Sequence, residues 1–127
     1  MIYNFDVRKP LDSDQIKAGL VDPGLTVGQS RRIYELLKVD PEVDSLREQA
    51  SELFFAIKIY LDDLKSKDFH IMGDPFLMCC LREIAEQYGF RMWGSVTKLE
   101  EVKTLGEWGI ITTRYEHRFV KLRKYGK

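Results

Sequence analysis

Three short stretches of the chain carry residues able to do chemistry together. "NFDVRKP" offers Asn4, Asp6, Arg8 and Lys9; "MGDP" offers Gly73 and Asp74; "WGSVTK" offers Gly94, Ser95, Thr97 and Lys98. Cations neutralise a phosphate, hydroxyls and amides donate to its oxygens, and a helix N-terminus adds oriented N–H groups. Brought to one place, these residues make a cradle for a phosphate or a phosphodiester. Each stretch also has a plainer use. Gly73 can simply let the chain turn and Asp74 simply cap a helix. Ser95 and Thr97 alternate along an extended run, as residues on a polar face do. An Asp at a helix cap also competes with an anion for the same amides.

The rest of the chain must supply elements that position these stretches. Met1–Val7 is rich in aromatic and β-branched residues and predicts a strand ending in "RKP". Asp12, Ser13 and Asp14 can cap a short helix over "DSDQIKAG", with Gly19 closing it. "LVDPGLTVG" is turn-rich, with room for a very short strand. "QSRRIYELLKV" predicts a second short helix from the spacing of Ile33, Leu36 and Leu37. A long helix is expected from Asp40 as N-cap and Pro41 as first helical residue, its apolar stripe running from Val43 through Leu46, Ala50, Leu53, Phe54 and Ile57 to Leu61 and Leu64. Ile59 and Tyr60 lie off that stripe, as on a helix covered from more than one side.

"FHIM" then predicts a buried strand. Asp74 and Pro75 start another helix, with Phe76, Leu77, Cys80, Leu81, Ile84, Ala85 and Tyr88 on its apolar face and Gly89 at its end. "FRMWGSVT" is the next strand, "LEEVKTLGEWG" a charged connection with turn character, and "IITTRYEHRFVKLRKY" a long alternating strand. On that strand Thr113, Tyr115, His117 and Phe119 share one face, and Thr112, Arg114, Glu116 and Arg118 the other. The order predicts an α/β protein: one domain over 1–127, a small Rossmann-like three-layer fold, and a mostly parallel sheet of four to five strands whose last strand is free to run antiparallel. In such sheets ligands bind beyond the carboxyl ends of the parallel strands, where the three polar stretches converge.

Composition bounds the partners. The chain has 127 residues, 44% hydrophobic and 31% charged, with equal numbers of acidic and basic side chains. That is a globular composition whose net charge directs it to neither nucleic acid nor an acidic membrane. The charge is uneven, however. From Arg114 onward, Arg114, Arg118, Arg123, Lys121, Lys124 and Lys127 face Glu116 alone, the one local pointer to an anionic partner. Cys79 and Cys80 are neighbours about 100° apart on one helix, poorly placed to pair. No zinc spacing, Walker loop, GxGxxG or nucleophile elbow occurs, so neither metal nor cofactor is expected. His70 and His117, each inside a strand, read as packed or surface residues, and Trp93 and Trp108 as packing rather than base-stacking groups. With no signal-peptide core and no apolar run of membrane length, a cytoplasmic location is expected.

The order and its motifs resemble small CRISPR-associated proteins of a CARF-like, Rossmann-type fold. The resemblance is carried by "IYNFDVRKPLDSDQI", "HIMGDPFLMCCLREIAEQYGF", "RMWGSVTKLEEV" and "TTRYEHRFVKLRKY". It implies a sensor or ring nuclease for cyclic oligoadenylates, working as a homodimer with the ligand across its two-fold axis. Cleavage would be metal-independent attack of a ribose 2′-OH on the neighbouring phosphate, which needs the phosphodiester held in line and its charge stabilised. The implied catalytic residues are Ser95, Lys98 and Arg8; Asn4, Asp6, Lys9, Gly73, Asp74, Gly94 and Thr97 would bind the ligand. The alternatives are a non-catalytic nucleotide sensor, a protein-interaction module, or a nucleic-acid binder using Arg118, Arg123 and Lys124.

Overall fold

In the computed structural model, which describes residues 1–126, the sheet has five strands in the order β2-β1-β3-β4-β5. They are β1 (Ile2–Asn4), β2 (Leu20–Val21), β3 (Asp68–His70), β4 (Arg91–Leu105) and β5 (Ile111–Lys124). The first four run parallel and β5 is antiparallel to β4. The helices are α1 (Ser13–Lys17), α2 (Val27–Leu37), α3 (Arg47–Asp63) and α4 (Pro75–Gln87). From β1 the chain steps to one side, to β2, and then returns past β1 to β3. The topological switch point therefore lies between β1 and β3, where Asn4 is in register with His70.

Alternation along the strands sorts the two faces of the sheet. Phe5, Phe69, Ile71 and Met92 face α2, α3 and α4, and join Ile33, Leu53, Phe54, Ile57, Leu77 and Leu81 in one buried cluster. Asn4, His70, Trp93 and Ser95 point to the opposite face. There α1 is the only helix among the described residues, and it reaches Ser95 through Gln15. The outcome is the expected three-layer α/β arrangement, with one layer reduced to a short helix. No helix among the described residues is long and apolar enough to cross a membrane.

Two elements differ from expectation. The long helix starts at Arg47, not at Asp40. The Asp40 carboxylate accepts from the Glu42 amide at 2.9 Å and Val43 N–H reaches the Asp40 carbonyl, so the Asp-Pro pair closes a local turn instead of capping α3. Gln49 then ties α3 to the end of α2 by donating to the carbonyls of Leu36 and Lys38. The second difference is larger. "LEEVKTL" is not a connection but the outer half of β4, paired with β5 out to Leu105 and Ile111. A single 3-10 turn (Glu107–Gly109) closes the hairpin, with Trp108 and Gly109 both at positive φ. The charges of that segment are cross-strand partners: Arg118 meets Glu100 at 2.7 Å. β3 pairs with β4 only as far as Trp93, so the rest of the hairpin projects as a two-stranded arm.

Candidate functional site

The parallel register places Asn4, His70 and Trp93 side by side at the ends of β1, β3 and the inner part of β4. His70 is fully buried. Its Nδ1 lies 2.8 Å from Asn4 Oδ1 and its Nε2 lies 2.7 Å from Ser95 Oγ. Ser95 Oγ also accepts from Gln15 Nε2 at 3.1 Å.

The direction of every bond in this chain follows from its two ends. Asn4 Oδ1 accepts from the Asp6 amide at 3.0 Å, so it is the oxygen, not the nitrogen, that faces the ring. The imidazole must therefore carry its proton on Nδ1, leaving the lone pair of Nε2 for the Ser95 hydroxyl. At the other end Gln15 Oε1 accepts from the Asp12 amide at 3.1 Å, so its NH₂ faces Ser95. Both lone functions of the serine are thus engaged: it donates to His70 and accepts from Gln15. Burial is the main reason the His70 pKa is lowered to about 4, with Lys9 pushing the same way and Asp6 opposing. The ring is neutral at physiological pH, as its bonding requires.

Beyond Asn4 the chain bends away from the sheet and carries Asp6 and Arg8. Asp6 is buried, and its carboxylate grips Arg8 through Nε at 2.9 Å and Nη2 at 3.4 Å. This fork raises the Arg8 pKa. It consumes two of the five guanidinium N–H donors and, among the described residues, leaves three unengaged on a half-exposed side chain. Arg8 and Lys9 stand on a cleft of about 780 Å³ between the 6–11 loop and the 20–25 segment, lined also by Asn4, Asp6, Ile16, Leu20 and Leu25. Tyr125 closes in from the end of β5. Its ring lies against Gly94, where an added Cβ would sit 2.8 Å from the ring, and burial raises its pKa.

Of the residues singled out in the sequence, Asn4, Asp6, Arg8 and Lys9 come together on the cleft. Ser95 joins Asn4 through His70. Gly94 sits beside Ser95 against Tyr125. The other residues lie elsewhere. At the Gly73 corner a Cβ would be 3.1 Å from Met78 Cε, so glycine there permits close packing. Asp74 Oδ1 takes the amides of Phe76 and Leu77 at 2.9 and 3.2 Å, filling the α4 N-terminus, and Asp74 faces a separate hollow beside Pro41, Leu46 and Cys79. Thr97 and Lys98 stand on the exposed arm, on opposite faces of β4. Arg118 is engaged by Glu100, which offsets part of the basic strand's charge.

Gln15 and His70 are the residues that the sequence reading left out of the site. Gln15 had a signal: it is the third helical residue after Asp12, and the two form a capping box that fixes its side chain. His70 had none, because its partners lie far away in the chain. Searches of protein-family models, curated proteins and solved structures find no match to this chain.

Proposed function

We propose that the cleft at the switch point binds an anionic nucleotide with phosphodiester groups, a cyclic oligoadenylate above all, and that the protein acts as its sensor. The observation that carries this reading is Arg8. Its guanidinium is held by a buried carboxylate on a cleft outside the carboxyl ends of the strands, with three donors unengaged among the described residues. Lys9 adds a second cation, and the apolar walls suit the face of a base. The sheet order is one in which ligands settle at the β1/β3 switch point. Binding is favoured over cleavage because Ser95 is engaged on both sides, His70 is buried and neutral, and Lys98 stands out on the arm. The resemblance to the CARF-like family supports the same ligand class, a homodimer, and work in the cytoplasm.

The test is incubation with cyclic tri-, tetra- and hexa-adenylate in EDTA, followed by chromatography, with the melting temperature recorded in parallel. A sensor returns the ligand intact and melts several degrees higher when ligand exceeds its Kd about 100-fold. Arg8→Ala and Lys9→Ala should each abolish that rise. Linear products would instead make Ser95 and Arg8 catalytic candidates. No shift and no product with any ring would remove the nucleotide reading.

A further inference from the structure

The arm formed by β4 and β5 is amphipathic, and the register shows it. Directly paired residues share a face, so Leu99, Glu101, Lys103 and Leu105 of β4 stand with His117, Tyr115, Thr113 and Ile111 of β5. Phe119 and Leu122 continue this face toward Ser95. The opposite face carries Lys98, Glu100, Arg114, Glu116 and Arg118, tied by the Arg118–Glu100 and Arg114–Glu116 ion pairs. Those pairs engage Glu100, Arg114, Glu116 and Arg118, while Lys98, in register with Arg118, adds an unpaired cation among the described residues. The other face is apolar and uncovered: Leu99, Leu105, Ile111 and Tyr115 are all exposed, and Trp108 at the tip is 95% exposed. A two-stranded ribbon of this kind is marginal on its own and gains from a covering layer.

We propose that the covering layer is the same face of a second copy, packed about a two-fold axis level with Val102. The evidence is self-complementarity. A two-fold axis lying between the faces, across the strands, reverses strand direction and keeps β4 over β4. Residues at equal distances on either side of Val102 then meet. Leu99 falls on Leu105 of the second copy, and Leu105 on its Leu99. Glu101 falls on Lys103 and Lys103 on Glu101, giving two symmetric ion pairs from groups that within one chain are only 3.8 Å neighbours. On the companion strand Tyr115 falls on Thr113. Trp108 of the second copy comes over Phe119, near the base of the arm. No like charges meet on this face. About this axis the overlapping part of the ribbon runs from Thr97 and Phe119 to the Trp108 tip, about 33 Å, and two strands wide it presents about 330 Å² in plan. Its standing side chains and the tryptophan tip take the accessible area toward the roughly 800 Å² per partner of stable interfaces. The second copy is favoured over a nucleic acid because this face is apolar with balanced charge, and the cations lie behind it.

This surface does not depend on what the cleft binds, so its test is separate. Sedimentation equilibrium of the full chain without ligand should give a dimer. Dilution should shift Trp108 emission to the red as the tip is uncovered. Glu101→Lys and Lys103→Glu should each weaken association about tenfold, since each replaces two attractive pairs by like charges. The double variant carrying both changes should restore it, which only the antiparallel register predicts. A chain monomeric at millimolar concentration would overturn the proposal. So would a dimer indifferent to both single changes, or one that the double swap fails to rescue.

Discussion

Ser95 and Thr97 are two residues apart on one face of one strand, and their surroundings differ completely. Ser95 sits two residues past the last β3 pairing, but His70 of β3 and Gln15 of α1 still reach it, and its hydroxyl is bonded on both sides. Thr97 sits four residues past that pairing, exposed, with His117 Nδ1 at 3.5 Å. The two histidines repeat the contrast: His70 is fully buried between Asn4 and Ser95, whereas His117 is exposed on the arm. Residue type does not decide the outcome. The number of separate elements that reach a side chain does, because each removes water and supplies a partner that several others also hold in place.

The contrast is sharpest in single substitutions. His70→Ala removes a buried ring and strands the Ser95 hydroxyl, and should cost about 3–5 kcal/mol in urea unfolding. His117→Ala should stay within about 0.5 kcal/mol. Equal losses at the two sites would abolish the distinction between core and arm.

Acid probes the same ring without mutation. The unfolded chain protonates His70 near its ordinary pKa of about 6.5, but the folded chain holds it neutral down to about 4. The unfolded state therefore binds the extra proton first. The contribution is complete above the unfolded pKa and falls away as the pH drops from about 6.5 to about 4, a loss on the order of 3 kcal/mol. Asp68, whose pKa is lowered chiefly by its hydrogen bonds to Arg91, adds a further loss as the pH falls through the carboxylate range. Subtracting the profile of His70→Ala isolates the imidazole. A difference flat from pH 7 to pH 4 would show that the ring is accessible to protons in the folded state.

The smallest effect separates the two hydroxyls. Ser95→Ala should cost about 1–2 kcal/mol by leaving His70 Nε2 and the Gln15 amide short of a partner. Thr97→Ser should cost a few tenths at most. A loss at Thr97 that appears only at concentrations where the chain self-associates would place its effect in the interface.

Much of the scaffold was legible from local rules. Asp74-Pro75 marks the start of α4 and Asp12 that of α1, because capping needs only neighbours in the chain. The Asp6–Arg8 pair was not legible, since it forms across a turn at Val7 and Arg8 rather than along a strand. The start of α3 was not legible, since Asp40 satisfies a turn as well as it would a helix. The outer half of β4 was obscured because Glu100, Glu101 and Lys103 look like loop residues until β5 is laid beside them. β5 was legible by its own alternation, but the ribbon shows only in cross-strand pairs such as Leu99 with His117. The hydrogen-bonded chain through His70 was the least legible, because it exists only once the strand order is known.

The links in that chain also carry a timetable. Asn4 is 66 residues from His70, Gln15 is 80 from Ser95, and His70 is 25 from Ser95. The hairpin of β4 and β5, by contrast, closes around a turn of a few residues and needs little loop entropy. The hairpin and the β3–α4–β4 unit can therefore assemble early, while β1 and α1 wait for closures of 66 and 80 residues. In a chevron experiment Asn4→Ala should raise the unfolding rate and leave the folding rate almost unchanged, with a φ-value near zero. The cleft is built on β1 and the loop that follows it. The part of the molecule proposed to meet the ligand would thus be the last to form and the first to open.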